Sequence, residues 1–204
     1  MATFGYTSIG GTQGSIGDKR VIATEFTASA GEVTKLTAYV VSPALGFPFD
    51  TPAGSFQAAV FNSSKQTITN GVSGIVSSVD PAGWYDFTFS SNPTLSAVDV
   101  YLGVSQNGGG NGGSFWYDSG DTGQSFEEAS GQNNYNPIDD VTSSTDIDRK
   151  YSIYATYEAS GDPDPDPITK VKVAGTFVPI APKVKLSGTF VEKTPQIKQG
   201  GSFS

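Results

Sequence analysis

Two carboxylate pairs, Glu127-Glu128 and Asp139-Asp140, are the residues of this 204-residue chain best equipped for acid–base chemistry. Two convergent carboxyl groups, one protonated and one ionised, are what glycoside hydrolysis needs. Here each pair is adjacent in sequence, and neighbours on a strand point to opposite faces, so neither pair converges by itself. The chain has no histidine and no cysteine. That removes the usual general base, the Ser-His-Asp triad, disulfides, thiolate metal sites and almost every zinc or non-haem iron site. Asp139, Asp140, Asp146 and Asp148 crowd one stretch. Calcium takes oxygen ligands, but EF-hand spacing is missing, and a solvated acidic loop is the expected state. Trp116, Tyr117 and Tyr135 flank stretches rich in Asn and Gly. Aromatic faces beside amides suit sugars, which makes these three the candidate glycan contacts. Trp116 and Tyr117 fall on opposite faces of one strand, so at least one of them belongs to the core. No catalysis, cofactor or metal is expected.

A second set of residues is spaced for recognition. Lys170-Val171-Lys172-Val173-Ala174-Gly175-Thr176-Phe177-Val178 returns thirteen residues on as Lys183-Val184-Lys185-Leu186-Ser187-Gly188-Thr189-Phe190-Val191. Each copy reads as a strand with one glycine and one large aromatic, too short to fold alone. It must pair with something. One option is another polypeptide, joined by strand addition, with Val173, Phe177, Val178, Leu186, Phe190 and Val191 as the partner-binding residues. The other is the chain's own body, with the two copies forming a hairpin on it. Ahead of the repeat stand three Asp-Pro pairs, from Asp162 to Pro167. Proline fixes φ and keeps such a segment extended. The chain therefore divides into a β domain (1–160), an Asp-Pro linker (161–167) and an attachment tail (168–204).

Charge follows the same division. Residues 1–160 hold 16 acidic and 6 basic residues, net −10, the linker adds −3, and residues 168–204 carry six Lys and one Glu, net +5. An acidic body repels phosphate, so nucleic acid is not an expected partner. The basic tail fits an acidic protein surface, although scattered lysines also keep exposed strands soluble. Met1-Ala2-Thr3-Phe4-Gly5-Tyr6 lacks the basic start and apolar run of a secretory leader, and no apolar run approaches a membrane span. Synthesis in the cytoplasm, without a membrane partner, is the expectation.

The elements that must position these residues read as strands. With 25 Gly and 12 Pro, and no helix-forming strings of Ala, Leu, Glu and Lys, the composition favours strands and turns. Short runs at 4–9, 20–28, 33–41, 55–61, 67–79, 84–89, 98–104, 115–117 and 150–158 alternate or carry β-branched residues between Gly, Pro and Asn signals. Leu36, Ala38 and Val40 form one core face, with Lys35, Thr37 and Tyr39 opposite. Tyr85, Phe87 and Phe89 form another, with Trp84, Asp86 and Thr88 opposite. The run 55–61 has no charge, so both its faces should be covered. Residues 119–148 read as one long polar excursion. The fold class predicted is all-β: a two-sheet antiparallel jelly-roll sandwich, its first and last strands side by side, plus an extended C-terminal β tail.

Two resemblances sharpen this. Gly31-Glu32-Val33-Thr34-Lys35-Leu36-Thr37-Ala38-Tyr39, Ala58-Ala59-Val60-Phe61, Ala82-Gly83-Trp84-Tyr85-Asp86-Phe87-Thr88-Phe89, Tyr101-Leu102-Gly103-Val104, Trp116-Tyr117-Asp118-Ser119-Gly120 and Arg149-Lys150-Tyr151-Ser152-Ile153-Tyr154-Ala155-Thr156-Tyr157 stand in this order. Together they resemble a β jelly-roll module of bacterial, archaeal and viral surface proteins, often found beside carbohydrate-active domains. The tandem repeat is similar to short Gly-aromatic repeats near the C-termini of tailed-phage tail and virion proteins. Those usually carry Trp where Phe177 and Phe190 stand here. The resemblance implies a non-enzymatic structural protein of a phage or related virus particle: a head decoration, fibre or tail-associated module made in the host cytoplasm. It would be oligomeric in the virion and held to other virion proteins by its tail, with a host-surface glycan as a further partner. The alternative is a carbohydrate-binding module of a secreted bacterial protein.

Overall fold

The computed structural model describes residues 1–15, 18–41, 54–77, 79, 81–107, 113–130, 132 and 134–160, and the backbone of short strands between 170 and 203. The chain divides into two units, Met1–Ala159 and Ser160–Ser204. Among the described residues of the first unit there are fourteen strands and no helix. They are β1 (Ala2–Gly5), β2 (Thr12–Ser15), β3 (Val21–Thr27), β4 (Gly31–Val41), β5 (Ser55–Phe61), β6 (Thr67–Ser77) and β7 (Gly83–Thr88). The rest are β8 (Thr94–Leu95), β9 (Asp99–Asn107), β10 (Ser114–Ser119), β11 (Ser125–Glu128), β12 (Ser144–Ile147), β13 (Arg149–Tyr151) and β14 (Ile153–Ala159).

These strands form the expected two-sheet antiparallel sandwich. One sheet has eight strands along β1-β14-β4-β10-β13, with β2 on β10 and with β7 and β8 on β4. The other runs β12-β11-β3-β9-β5-β6. First and last strands lie side by side, from Ala2 opposite Tyr157 to Gly5 opposite Tyr154. The opening strand is Ala2–Gly5 rather than 4–9. At Gly5 φ is +115°, and a Cβ there would stand 2.6 Å from the Tyr154 Cα, so the chain leaves the sheet at a glycine that no other residue replaces.

Period-2 patterning decides what lies between the sheets. Leu36, Ala38, Val40, Phe87, Ile153 and Ala155 of one sheet meet Ile22, Phe56, Ala58, Val60, Leu102 and Val104 of the other. Tyr85 and Phe89 pack against this cluster as partly buried neighbours. Burying a ring such as Phe87 contributes about 1.5–3 kcal/mol.

A second apolar cluster lies on the opposite face of the six-stranded sheet. Val21, Ala23, Ala59, Phe61, Tyr101 and Phe126 are capped there by Ile138 and Val141. The uncharged strand β5 is thus covered on both faces, as its composition predicted. Residues 119–148 are not one polar excursion. They contain β11 and β12, paired from Ser125 opposite Ile147 to Glu128 opposite Ser144, and a connection that folds back as a lid. Polarity hid these strands: Phe126 and Ile147 are the only large apolar side chains on them.

Buried polar bonds pin the lid. Gln57 Oε1 accepts from the backbone N–H groups of Asn136 at 3.1 Å and Ile138 at 3.0 Å. Ser105 Oγ donates to the Asn134 carbonyl at 2.7 Å. Glu128 accepts from the Val21 N–H and from Asn134 Nδ2, both at 3.0 Å. Burial pushes the Glu128 carboxyl above its ordinary range, although these donors and Arg20 pull the other way.

In the second unit, β15 (Lys170–Val173) pairs with β16 (Thr176–Pro179), β17 (Lys183–Leu186) with β18 (Thr189–Glu192), and β19 (Lys198–Gln199) with β20 (Ser202–Phe203). Each repeat copy is therefore a two-stranded antiparallel hairpin rather than one strand.

Candidate functional site

The outward face of the eight-stranded sheet carries aromatic residues where a sandwich ordinarily presents polar ones. Leu36, Ala38 and Val40 take β4's inner face, which turns Lys35, Thr37 and Tyr39 outward. On β7 the inner position of Phe87 turns Trp84, Asp86 and Thr88 outward. The register sets Tyr39 opposite Trp84, Thr37 opposite Asp86, and Lys35 opposite Thr88. On the other edge of β4, Tyr154 lies opposite Thr37. The Trp116 ring meets Tyr39 at 5.0 Å and 90°, and Tyr39 meets Trp84 at 5.4 Å and 74°. Trp84 then meets Tyr154 at 5.4 Å and 61°. Trp84 and Tyr154 stand on strands that flank β4, so the two rings meet over β4 beside Thr37. That explains why Thr37, on an outward face, is only 2% exposed. All four rings are half-buried. They include both tryptophans of the chain. Each edge-to-face pair contributes about 0.5–1.5 kcal/mol beyond area burial.

A polar set borders the rings. Asp86 accepts from Lys35 Nζ at 2.6 Å and from Thr37 Oγ1 at 2.7 Å. Burial pushes the Asp86 carboxyl up, but Lys35 and Thr37 overcome it and hold the group below its ordinary 3.8. The arrangement combines apolar ring faces with a carboxylate acceptor, an ammonium donor and a hydroxyl.

The three expected glycan residues are not brought together. Trp116 belongs to the platform. Tyr117, on the other face of β10, packs against the inner core with its ring 5.7 Å from Tyr151 and the Arg149 guanidinium 4.4 Å above it. Tyr135 lies in the lid, its hydroxyl 2.5 Å from Ser55 Oγ, beside a cleft of about 430 Å3 lined by Glu128, Asn134 and Asn136. Tyr39, Trp84 and Tyr154 were missed as partners of Trp116. Alternation already placed Tyr39 and Trp84 opposite the core, but no local signal says that β7 and β10 flank Tyr39.

The carboxylate pairs diverge. Glu127 pairs with Arg149 and accepts from the Tyr151 hydroxyl at 3.0 Å, whereas Glu128 is buried under the lid. Asp139 Oδ1 accepts from the Asp140 N–H, and Asp140 Oδ1 accepts from the Thr67 N–H, each at 2.8 Å. Asp146 pairs with Lys65 at 2.7 Å, and Asp148 accepts from the Gly123 N–H at 2.8 Å. Among the described residues, no three acidic side chains gather as a metal site.

The side chains of Val173, Phe177, Val178, Leu186, Phe190 and Val191 lie outside the described residues, but the backbone register sorts the positions by face. Directly opposed residues of an antiparallel pair share a face. Val171 is opposite Val178 and Val173 opposite Thr176, while Lys172 is opposite Phe177. In the second copy Val184 is opposite Val191, Leu186 opposite Thr189 and Lys185 opposite Phe190. Val173, Val178, Leu186 and Val191 therefore share apolar faces, and Phe177 and Phe190 lie on the other face with a lysine. The third hairpin repeats the second pairing, with Lys198 opposite Phe203. Sequence reading missed this copy. Its signal is one more step of the period, which sets Lys198, Gly201 and Phe203 where Lys185, Gly188 and Phe190 stand. The third copy sets Gln199 where Val173 and Leu186 stand, and keeps the Lys–Phe pair. No protein-family model matches the chain, and a search of the curated proteins found no match either.

Proposed function

We propose that the chain is a non-enzymatic structural protein of a phage or related virus particle, displaying its sandwich as a head decoration, fibre or tail-associated module and attached through its tail. The observation that carries this reading is the pairing of the tail. Each of three hairpins pairs only within itself among the described residues. A lone two-stranded hairpin is marginal in water, so such a tail is built to settle on another surface. The sandwich, in contrast, has its own core. The face that recurs in all three copies sets a lysine opposite a phenylalanine, and the tail is net +5. It fits an acidic virion protein that offers apolar pockets, with three weak contacts adding as avidity. The test deletes residues 168–204. The shortened chain should melt as before but no longer enter particles of the virus that encodes it. Particles that still take it up would end this reading.

One observation favours the alternative, a carbohydrate-binding module: both tryptophans stand on one outer sheet face.

A further inference from the structure

We propose that the outward platform of Tyr39, Trp84, Trp116 and Tyr154, with Asp86 and Lys35 at its edge, is a binding site for an uncharged glycan chain. The site belongs to the sandwich, so the fate of the tail does not decide it. It names where the carbohydrate-binding reading would act, and rests on that reading only to this extent.

Size argues against a protein occupant. Four aromatic residues of about 150–250 Å2 each, each little more than a third exposed at most, leave no more than roughly 350 Å2 of ring surface. A stable protein interface takes about 800 Å2 from each partner. Two or three sugar rings match the smaller area. Shape argues the same way. Trp84 on β7 meets Tyr154 on β14 over the intervening β4, and both its neighbours meet it at steep angles of 74° and 61°. Partly exposed rings set steeply to one another form an uneven apolar surface against which the C–H faces of pyranose rings can stack. The polar edge completes the match. Asp86 and Lys35 cancel in charge, with side chains 49% and 35% exposed. A carboxylate accepts and an ammonium donates, whereas each sugar hydroxyl does both. Anionic glycans are disfavoured, because the body around the site is net −10.

The chain supplies its own probe, since both tryptophans lie in the site and emission excited beyond the tyrosine absorption band reports nothing else. The full-length protein is titrated with cellohexaose, chitohexaose, mannohexaose and xylohexaose, and run in gels cast with the corresponding neutral polysaccharides. At least one series should shift the tryptophan emission and retard the band. Trp84→Leu and Trp116→Ala, on different strands, should each weaken that binding tenfold or more while thermal melting shows a folded protein. Lys35→Ala should weaken it severalfold, and Tyr135→Ala should leave it unchanged. Absence of binding across the panel overturns the proposal. So does binding that survives both tryptophan variants. Binding lost with Tyr135→Ala instead would move carbohydrate recognition to the lid cleft and overturn this site alone. Concentration-dependent self-association abolished by Trp84→Leu would assign the face to a second copy of the chain, and equally overturn it.

Discussion

Both sheets carry aromatic residues on their outward faces, yet the two faces end differently. On the six-stranded sheet Phe61 and Phe126 are fully buried and Tyr101 is 8% exposed, because the chain between β11 and β12 returns over them with Ile138 and Val141. On the eight-stranded sheet Tyr39, Trp84, Trp116 and Tyr154 brace one another edge to face and remain half-buried. The same residue chemistry becomes core where a lid closes and a platform where, among the described residues, none does. An outward aromatic residue is therefore a statement about its cover, and about function only when the cover is missing.

The sharpest way to break this comparison is to truncate one ring on each face. Phe126→Ala should cost about 3–5 kcal/mol in urea unfolding, since it leaves a cavity under a closed lid. Trp84→Ala should cost about 1–2 kcal/mol, the loss of two edge contacts and some shielding of Thr37. Equal costs would mean that the platform is a second core.

The lid can be loosened without touching its apolar residues. Gln57→Ala leaves the Asn136 and Ile138 N–H groups without their acceptor, at a cost of about 1–3 kcal/mol. Hydrogen exchange should accelerate at 134–141 and stay slow in β4. Glu128 gives the same test a pH axis. Its folded pKa lies above the ordinary 4.5, so the neutral form is the one the fold prefers. Its contribution is whole below 4.5 and declines as pH rises through the folded value. Glu128→Gln should flatten that part of the stability profile.

The platform's polar edge should respond oppositely and less. Asp86 is held below 3.8, so its pairing supports the fold above that pH and is lost as pH falls through the folded value. Asp86→Asn should cost about 0.5–1 kcal/mol near neutrality, as suits an exposed ion pair, and the difference from wild type should vanish in acid. Smallest of all in stability is the tail. Phe203→Ala should move the melting of the sandwich by less than about 0.5 kcal/mol; under the proposed attachment, in which three equivalent contacts would share one avidity, it should lower particle incorporation as much as Phe190→Ala does.

Much of the sandwich was legible because side-chain period and backbone period coincide. The alternation in β4 and β7 placed Leu36, Ala38, Val40 and Phe87 inward, and the uncharged β5 announced cover on both sides. The candidate site was legible only in pieces. Trp116 was picked out by its ring, and Tyr39 and Trp84 were placed outward by alternation, but nothing local joined them. The lid hairpin was missed because β11 and β12 each carry one large apolar residue, and long-range pairing supplied the rest of their stability. In the tail, two copies were plain from repetition. The third was not, because Gln199 stands where Val173 and Leu186 make the others conspicuous, and Ser204 where Val178 and Val191 do.

What the sequence determined by itself is which face each strand residue takes, what chemistry is impossible without histidine or cysteine, and where the charge changes sign. These are local properties of residue type and of a two-residue repeat. What only the tertiary structure decided is which strands lie beside β4 and which outward rings receive a lid. Strand order and register come from contacts between residues far apart in the chain, and no local pattern records them.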